Sequence, residues 1–288
     1  FSDEFGHHVV EPYVADHAAG RTPNPCVECN RHLKFDRLLA RANQLGFDAV
    51  ATGHHARVWA RPDGGWSLRR GADPDKDQSY VLHMLTQEQL RRIRLPVGEL
   101  MKHQVRQIAA DLNLRTAEKP DSQDVCFISR TGGREEFLGA RIELRPGQIV
   151  DRSGAVVGQI PAVELVTIGQ RRGLGALTAP EPVCEGAGPD DGRRYVVDVD
   201  IPAATVTVGP LAATLVTRID VRDPVWVDGA PEPGEVLDVQ MSAHGRPVPA
   251  RWTADGIVEV VTPVRRVAPG QSVVLYRADA VVGGGQAA

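Results

Sequence analysis

Residues 30–57 read NRHLKFDRLLARANQLGFDAVATGHHAR, and their pattern decides the fold class. Leu33, Leu38, Leu39, Ala42 and Leu45 recur at helical spacing, and Gly46 stands where a helix C-cap needs a residue that tolerates positive φ. The residues that follow, Ala49-Val50-Ala51 and then Thr52-Gly53, read as a buried strand ending in a glycine turn. A helix running directly into a buried strand predicts an α/β layer.

Just upstream lies TPNPCVEC, residues 22–29, with two of the chain's four cysteines three apart behind a rigid Pro-Asn-Pro. The spacing predicts that Cys29 directly precedes the helix opening at Asn30. There the unpaired N–H groups, the helix dipole and Lys34 one turn on would lower the thiol pKa. From the residues alone three readings stay open. A zinc site needs two more ligands, for which His54, His55 and Cys126 are available, although no second Cys pair exists. A thioredoxin-like redox pair and plain apolar packing of small cysteines are the others. Cys126 sits in PDSQDVCFISR, where a polar loop breaks into Cys-Phe-Ile; Cys184, in PVCEGAG, has nothing nearby to activate it.

Downstream, residues 58–68 carry Asp63-Gly64-Gly65 between two short apolar runs, which predicts a hairpin. Residues 86–93 and 99–112 read as helices, the second with Met101, Val105, Ile108, Ala109 and Leu112 on one face. Beyond about Glu136 the pattern changes to short β-runs punctuated by Gly and Pro, and 205–215 is the natural internal boundary. The chain thus divides into an α/β domain over 1–130, a central mostly β domain over 131–206 and a C-terminal β-barrel over 207–288. Residues 283–288 are expected to fray.

Composition narrows the function. With 288 residues, 42% hydrophobic and 24% charged, the chain supports two or three folded cores. No apolar run has the length of a membrane span, and the first residues lack the pattern of a secretory signal, so a cytoplasmic protein is expected. Four cysteines are too few for a disulfide scaffold, which points their chemistry to catalysis or ligation. A net charge of −4 argues against indiscriminate nucleic-acid binding but leaves RNA open through a local basic face.

Seven segments, GRTPNPCVECNRHLKF, VATGHHAR, DKDQSYVLH, KPDSQDVCFI, VTIGQRRGLG, RYVVDVD and PGQSVVLYRADAVVGGG, stand in the order and spacing of the bacterial tRNA-specific 2-thiouridylases, a family the chain resembles over nearly its whole length. The resemblance implies replacement of the C2 oxygen of the wobble uridine, position 34, by sulfur in tRNAs for Lys, Glu and Gln. ATP, with Mg, would adenylate that oxygen, and a cysteine desulfurase or relay protein would supply persulfide sulfur. By motif match Cys126 carries the persulfide and Cys29 is the second catalytic thiol, forming a disulfide with it as sulfur leaves; the CxxC is then not a metal site. His54 and Gln271 match residues at the active site, and Gly53 matches a nucleotide-contacting glycine. Asn24, Pro25 and Cys26 fall where the family meets the target base, and Lys76, Asp77 and Gln78 match a tRNA-contacting segment. The resemblance also implies that 1–130 is a partial, Rossmann-like nucleotide-binding and catalytic domain and that 131–206 is a tRNA-binding domain.

The chain departs from the family in four places. Many members have Asp at the position of Cys26 and Tyr at that of His55. No SGGxDSS phosphate loop occurs, so residue 1 is read as lying inside the nucleotide domain and ATP affinity is expected to be weak. Around Met241 to Gly245, where the family often carries an Arg-Tyr pair for tRNA, only His244 and Arg246 are near. The alternative reading is therefore a remnant that binds RNA or carries sulfur without activating tRNA.

Overall fold

The computed structural model describes residues 1–120, 125–128, 132–178 and 192–288. It opens on a helix over 2–18 (α1), left unassigned by the sequence pattern because little beyond Val9, Tyr13 and His17 is buried on it. A second helix over 25–44 (α2) ends as its composition requires: Gly46 takes φ +77°, its N–H donates to the Asn43 carbonyl at 3.0 Å, and the Phe47 N–H reaches Ala42 at 2.9 Å. That pair of bonds closes the last turn in a Schellman motif. The start differs from expectation. The helix begins at Pro25, capped by Asn24, and not at Asn30.

From α2 the chain enters β1 (Val50–Ala51), then the hairpin of β2 (Ala56–Ala60) and β3 (Trp66–Arg70), turned at Gly64 with φ +87°. Thr86 caps α3 (Gln87–Arg91) in a capping box with Gln89, and β4 (Ile93–Arg94) pairs parallel with β1. Parallel strands joined through helices are the α/β layer anticipated above. Helix α4 (Lys102–Asp111) has no buried residue, and its apolar side leaves Ile108 and Leu112 exposed.

The central part carries α5 (Arg134–Gly139) and then a four-stranded sheet of β5 (Gly147–Val150), β6 (Val156–Ile160), β7 (Tyr195–Asp200) and β8 (Thr205–Gly209), ordered β6-β5-β8-β7. Ile149, Val157, Val196, Val206 and Val208 fill its core.

Six strands follow: β9 (Leu215–Trp226), β10 (Val236–Gln240), β11 (Val248–Trp252), β12 (Ile257–Arg265), β13 (Ser272–Arg277) and β14 (Ala280–Ala287). They run β13-β10-β11-β12-β9-β14, and pairing of β13 with β14 closes the barrel. The expected frayed tail is therefore wrong: β14 is the closing strand. Its glycines are there for contact. A Cβ on Gly284 would lie 2.4 Å from the Val273 carbonyl oxygen, and one on Gly285 2.3 Å from that of Arg222. Glycine runs read as loose when neighbours are unknown, and here they let two strands approach.

The barrel is not a separate bead. Ala280 pairs with Arg69, so the β2–β3 hairpin extends the barrel sheet. One apolar core also runs from Phe35 and Leu39 on α2 through Leu68, Tyr80, Leu82 and Leu85 to Val274, Tyr276 and Val281 of the barrel. This shared core fixes α2 against the barrel.

Candidate active site on the thiol-bearing helix

The Asn24 side chain accepts from the Cys26 N–H at 3.1 Å, and buried Pro25 follows with its φ already helical. The first turn then presents Cys26, exposed, and one turn on Cys29, half-buried. From Cys29 to Arg37 the helix is wound wider, and the Leu38 N–H donates to the Leu33 carbonyl five residues back. Such π-helical widening re-aims side chains and recurs at functional sites.

Because the helix starts at Pro25, Cys29 lies in its second turn, beyond the unpaired N–H groups. The expected depressed thiol pKa is therefore not found. Burial pushes the Cys29 thiol up, opposed by the Lys34 ammonium and reinforced by the thiol of Cys126. The Cys26 thiol is raised too, although the residue is open to solvent: desolvation by the protein packed around its sulfur comes first, Cys29 and Cys126 add to it and Lys34 opposes. Cys126 thus shares one electrostatic neighbourhood with both members of the CxxC. Its own turn is anchored by the next residue: the Phe127 ring packs edge-on against Phe5 at 5.6 Å and Tyr13 at 5.5 Å, and against Phe137 at 5.0 Å. Cys184 lies outside the described residues, as do 121–124 and 129–131 beside Cys126.

His54 closes the site from the strand side. Its Nε2 lies 3.3 Å from Lys34 Nζ and its Nδ1 2.8 Å from Thr52 Oγ1. An ammonium only donates, so Nε2 accepts and the ring proton sits on Nδ1, facing the threonine oxygen. Burial, with the charges of Lys34 and His55, holds the imidazole at about 4, so it is neutral. Lys34 was legible in the sequence as a thiolate stabiliser; its bond to His54 was not. Beside this histidine, Gly53 ends the β1 segment, and a Cβ there would meet nothing within 4 Å. Open space at the carboxyl end of a parallel strand is where α/β folds seat nucleotides.

The 76–78 segment is built into the scaffold. Asp77 Oδ1 accepts from the N–H groups of Gly71 and Ser79 at 2.9 and 3.0 Å; Oδ2 takes Ser79 Oγ at 2.9 Å and Arg70 Nη1 at 2.9 Å. The Arg70 guanidinium in turn lies 3.6 Å over the Tyr276 ring of the barrel. Gln78 clamps the residue after His54: its Oε1 accepts from the His55 N–H at 2.9 Å and its N–H donates to the His55 carbonyl at 2.8 Å. Lys76 is half-buried on the same turn, its N–H bonded to the Asp73 carbonyl at 3.1 Å. Gln271, from the barrel, donates through Nε2 to the Thr22 carbonyl, so it grips the loop ahead of the thiols. Among the described residues no group of His, Cys, Asp and Glu is placed to hold a metal ion, and no helix is long and apolar enough to cross a membrane.

Three family descriptions match in tandem: a tRNA methyl transferase HUP domain over residues 1–130, its PRC-barrel domain over 135–210 and an aminomethyltransferase β-barrel domain over 216–286. The tRNA-specific 2-thiouridylase MnmA of Mycolicibacterium smegmatis is 48% identical over 284 residues, covering 97% of this chain and 76% of the relative. That of Chloroflexus aurantiacus is 45% identical over 295 residues, covering 99% and 78%, and that of Salinispora arenicola 48% over 285 residues, covering 96% and 75%. The chain belongs to the tRNA-specific 2-thiouridylase family. The HUP, PRC-barrel and β-barrel parts correspond to the three-part α/β, central β and barrel layout read from the sequence. Membership across all three parts does not favour the remnant reading.

Proposed function

We propose that this chain catalyses ATP-dependent transfer of sulfur to C2 of uridine 34 in tRNA, with Cys126 as the persulfide carrier and Cys29 as the thiol that completes the transfer. The observation that carries the reading is that Cys29 feels both the Lys34 ammonium and the Cys126 thiol, while Lys34 is held at 3.3 Å by His54.

ATP, when bound with Mg, supplies the adenylyl group that turns the C2 oxygen into a leaving group, and Gly53 offers the backbone approach for it. The chain's own residues do the rest. A persulfide is more acidic than a thiol, so the terminal sulfur carried on Cys126 ionises more readily than a cysteine thiol would. That sulfur attacks C2 and AMP leaves, giving a disulfide between Cys126 and the base. Cys29, losing its proton, attacks the Cys126 sulfur; the S–S bond to the base breaks, 2-thiouridine departs, and a Cys29–Cys126 disulfide remains for a thiol reductant to open. Lys34, held by neutral His54, supplies the positive charge that favours each sulfur anion. Asn24, Pro25 and Cys26 form the rigid edge against which the flipped base would lie, and Lys76, Asp77 and Gln78 the turn that meets the tRNA. The tRNAs are those for Lys, Glu and Gln, the donor is a cysteine desulfurase or its relay, and the setting is the cytoplasm.

The protein from its full reading frame, incubated with ATP, tRNA and a desulfurase charged with radiolabelled cysteine, is expected to place label in tRNA as 2-thiouridine. Label that stays on protein with ATP present, while tRNA is bound, would overturn the reading.

A further inference from the structure

Thr22 is the residue at which all three parts of the chain meet. Its N–H donates to the Pro269 carbonyl of the barrel at 2.7 Å and its carbonyl accepts from Gln271 Nε2. Its hydroxyl donates to Thr167 Oγ1 of the central domain at 3.2 Å. Both neighbours press close. Gly270, at φ +87°, lies so near that an added Cβ would sit 3.3 Å from Arg21 Cβ, and one on Gly20, at φ +74°, would sit 2.8 Å from Ile201 Cγ1.

The far partner of the hydroxyl bond is a stiff turn. The Thr167 N–H donates to Gln170 Oε1 at 3.0 Å, Gln170 Nε2 to the Arg172 carbonyl at 2.8 Å, and the turn is tied to β7 through Gly169 N–H to the Val196 carbonyl at 2.8 Å. It carries Arg171 and Arg172 outward, both exposed. Adjacent guanidiniums on a rigid turn are suited to RNA phosphates. On the near side only Pro23, with its fixed φ, separates Thr22 from Asn24, whose side chain caps the thiol-bearing helix.

We propose that Thr22 is a positioning residue: through its bond to Thr167, seating of the 167–172 turn on the substrate RNA sets the orientation of Cys26 and Cys29. This rests on the reading of the chain as a tRNA sulfurtransferase. The barrel grips only the Thr22 backbone, whereas the central domain reaches its side chain, so the hydroxyl bond is the element through which RNA seated on the central domain can act.

Alkylation of Cys26 and Cys29 by iodoacetamide, followed by peptide mass spectrometry with and without saturating tRNA, tests it. In the wild type tRNA should change the rates by about five-fold, the weight of one neutral hydrogen bond. Bound RNA shields the thiols directly in every variant, so the coupling is read at Cys29 as the difference between variants at saturating tRNA. Thr22→Val and Thr167→Val should each remove that five-fold component while tRNA affinity holds, the double variant should do no more than either, and Thr22→Ser should restore it. A Cys29 response in Thr22→Val equal to that of the wild type, or additive single effects, would overturn the proposal. Should Thr22→Val not fold, Thr167→Val on the other domain carries the same test. Sulfur transfer by the wild type is scored separately, so failure of the reaction and failure of the coupling are distinguishable.

Discussion

Lys34 Nζ lies 3.3 Å from His54 Nε2, so the lysine that follows the two thiols on α2 is held by an imidazole that is uncharged at neutral pH. The pair makes the site cationic in one place only, at the ammonium. Protonating His54 would set two like charges against each other and remove the acceptor that holds Lys34.

This has a consequence for pH. His54, His17 and His83 are all buried and held at about 4 chiefly by that burial, against an ordinary 6.5. The unfolded chain therefore binds protons that the folded chain refuses. Stability is full above pH 6.5 and drains as the pH falls toward 4, with each histidine contributing on the order of 3 kcal/mol to the loss. Urea midpoints measured from pH 7.5 to 4.5 should fall steadily below 6.5; a flat profile down to pH 5 would contradict the burial of neutral histidines.

Asp77 and Lys76 should separate by what they damage. Asp77→Ala strips four hydrogen bonds and leaves the Arg70 guanidinium, packed on Tyr276, without its carboxylate, which should cost about 3 kcal/mol of stability. Lys76→Ala should cost less stability than Asp77→Ala and weaken tRNA binding evenly across tRNA sequences, with a shallower salt dependence. Equal thermal shifts for the two variants would refute this division.

The legible parts of the fold are those whose signal is local. Helix α2, its Gly46 cap, the Gly64 hairpin and the β5–β6 pair follow from periodicity and turn chemistry within about a dozen residues. What escaped reading depends on partners far along the chain. The GGG of β14 has no strand signature of its own, because its small size matters only beside Val273 and Arg222. The start of α2 was misplaced because Pro25 and Asn24 look like a loop until the Asn24 side chain is seen to cap the turn. At the site, the motif residues stood out singly, whereas Thr22, Thr52 and Thr167 act through hydroxyl contacts that no spacing reveals.

Barrel closure gives a direct check of that correction. Gly284→Ala pushes a Cβ into the Val273 carbonyl on the neighbouring strand, and overpacking of this kind should cost about 2 kcal/mol or more. Removal of residues 283–288 should be at least as damaging. A truncated chain with an unchanged melting temperature would mean that the barrel does not need its last strand.

The central claim is that Cys126 carries the sulfur and Cys29 releases it. In the protein from its full reading frame, label from a charged desulfurase should load onto Cys29→Ser but never appear as 2-thiouridine, whereas Cys126→Ser should take up no label, because a hydroxyl cannot form a persulfide. Cys184→Ser should thiolate tRNA like the wild type. Measuring protein-bound and tRNA-bound label in the three variants together decides the matter. Wild-type thiolation by either Cys29→Ser or Cys126→Ser, or a loss in Cys184→Ser equal to theirs, would contradict it.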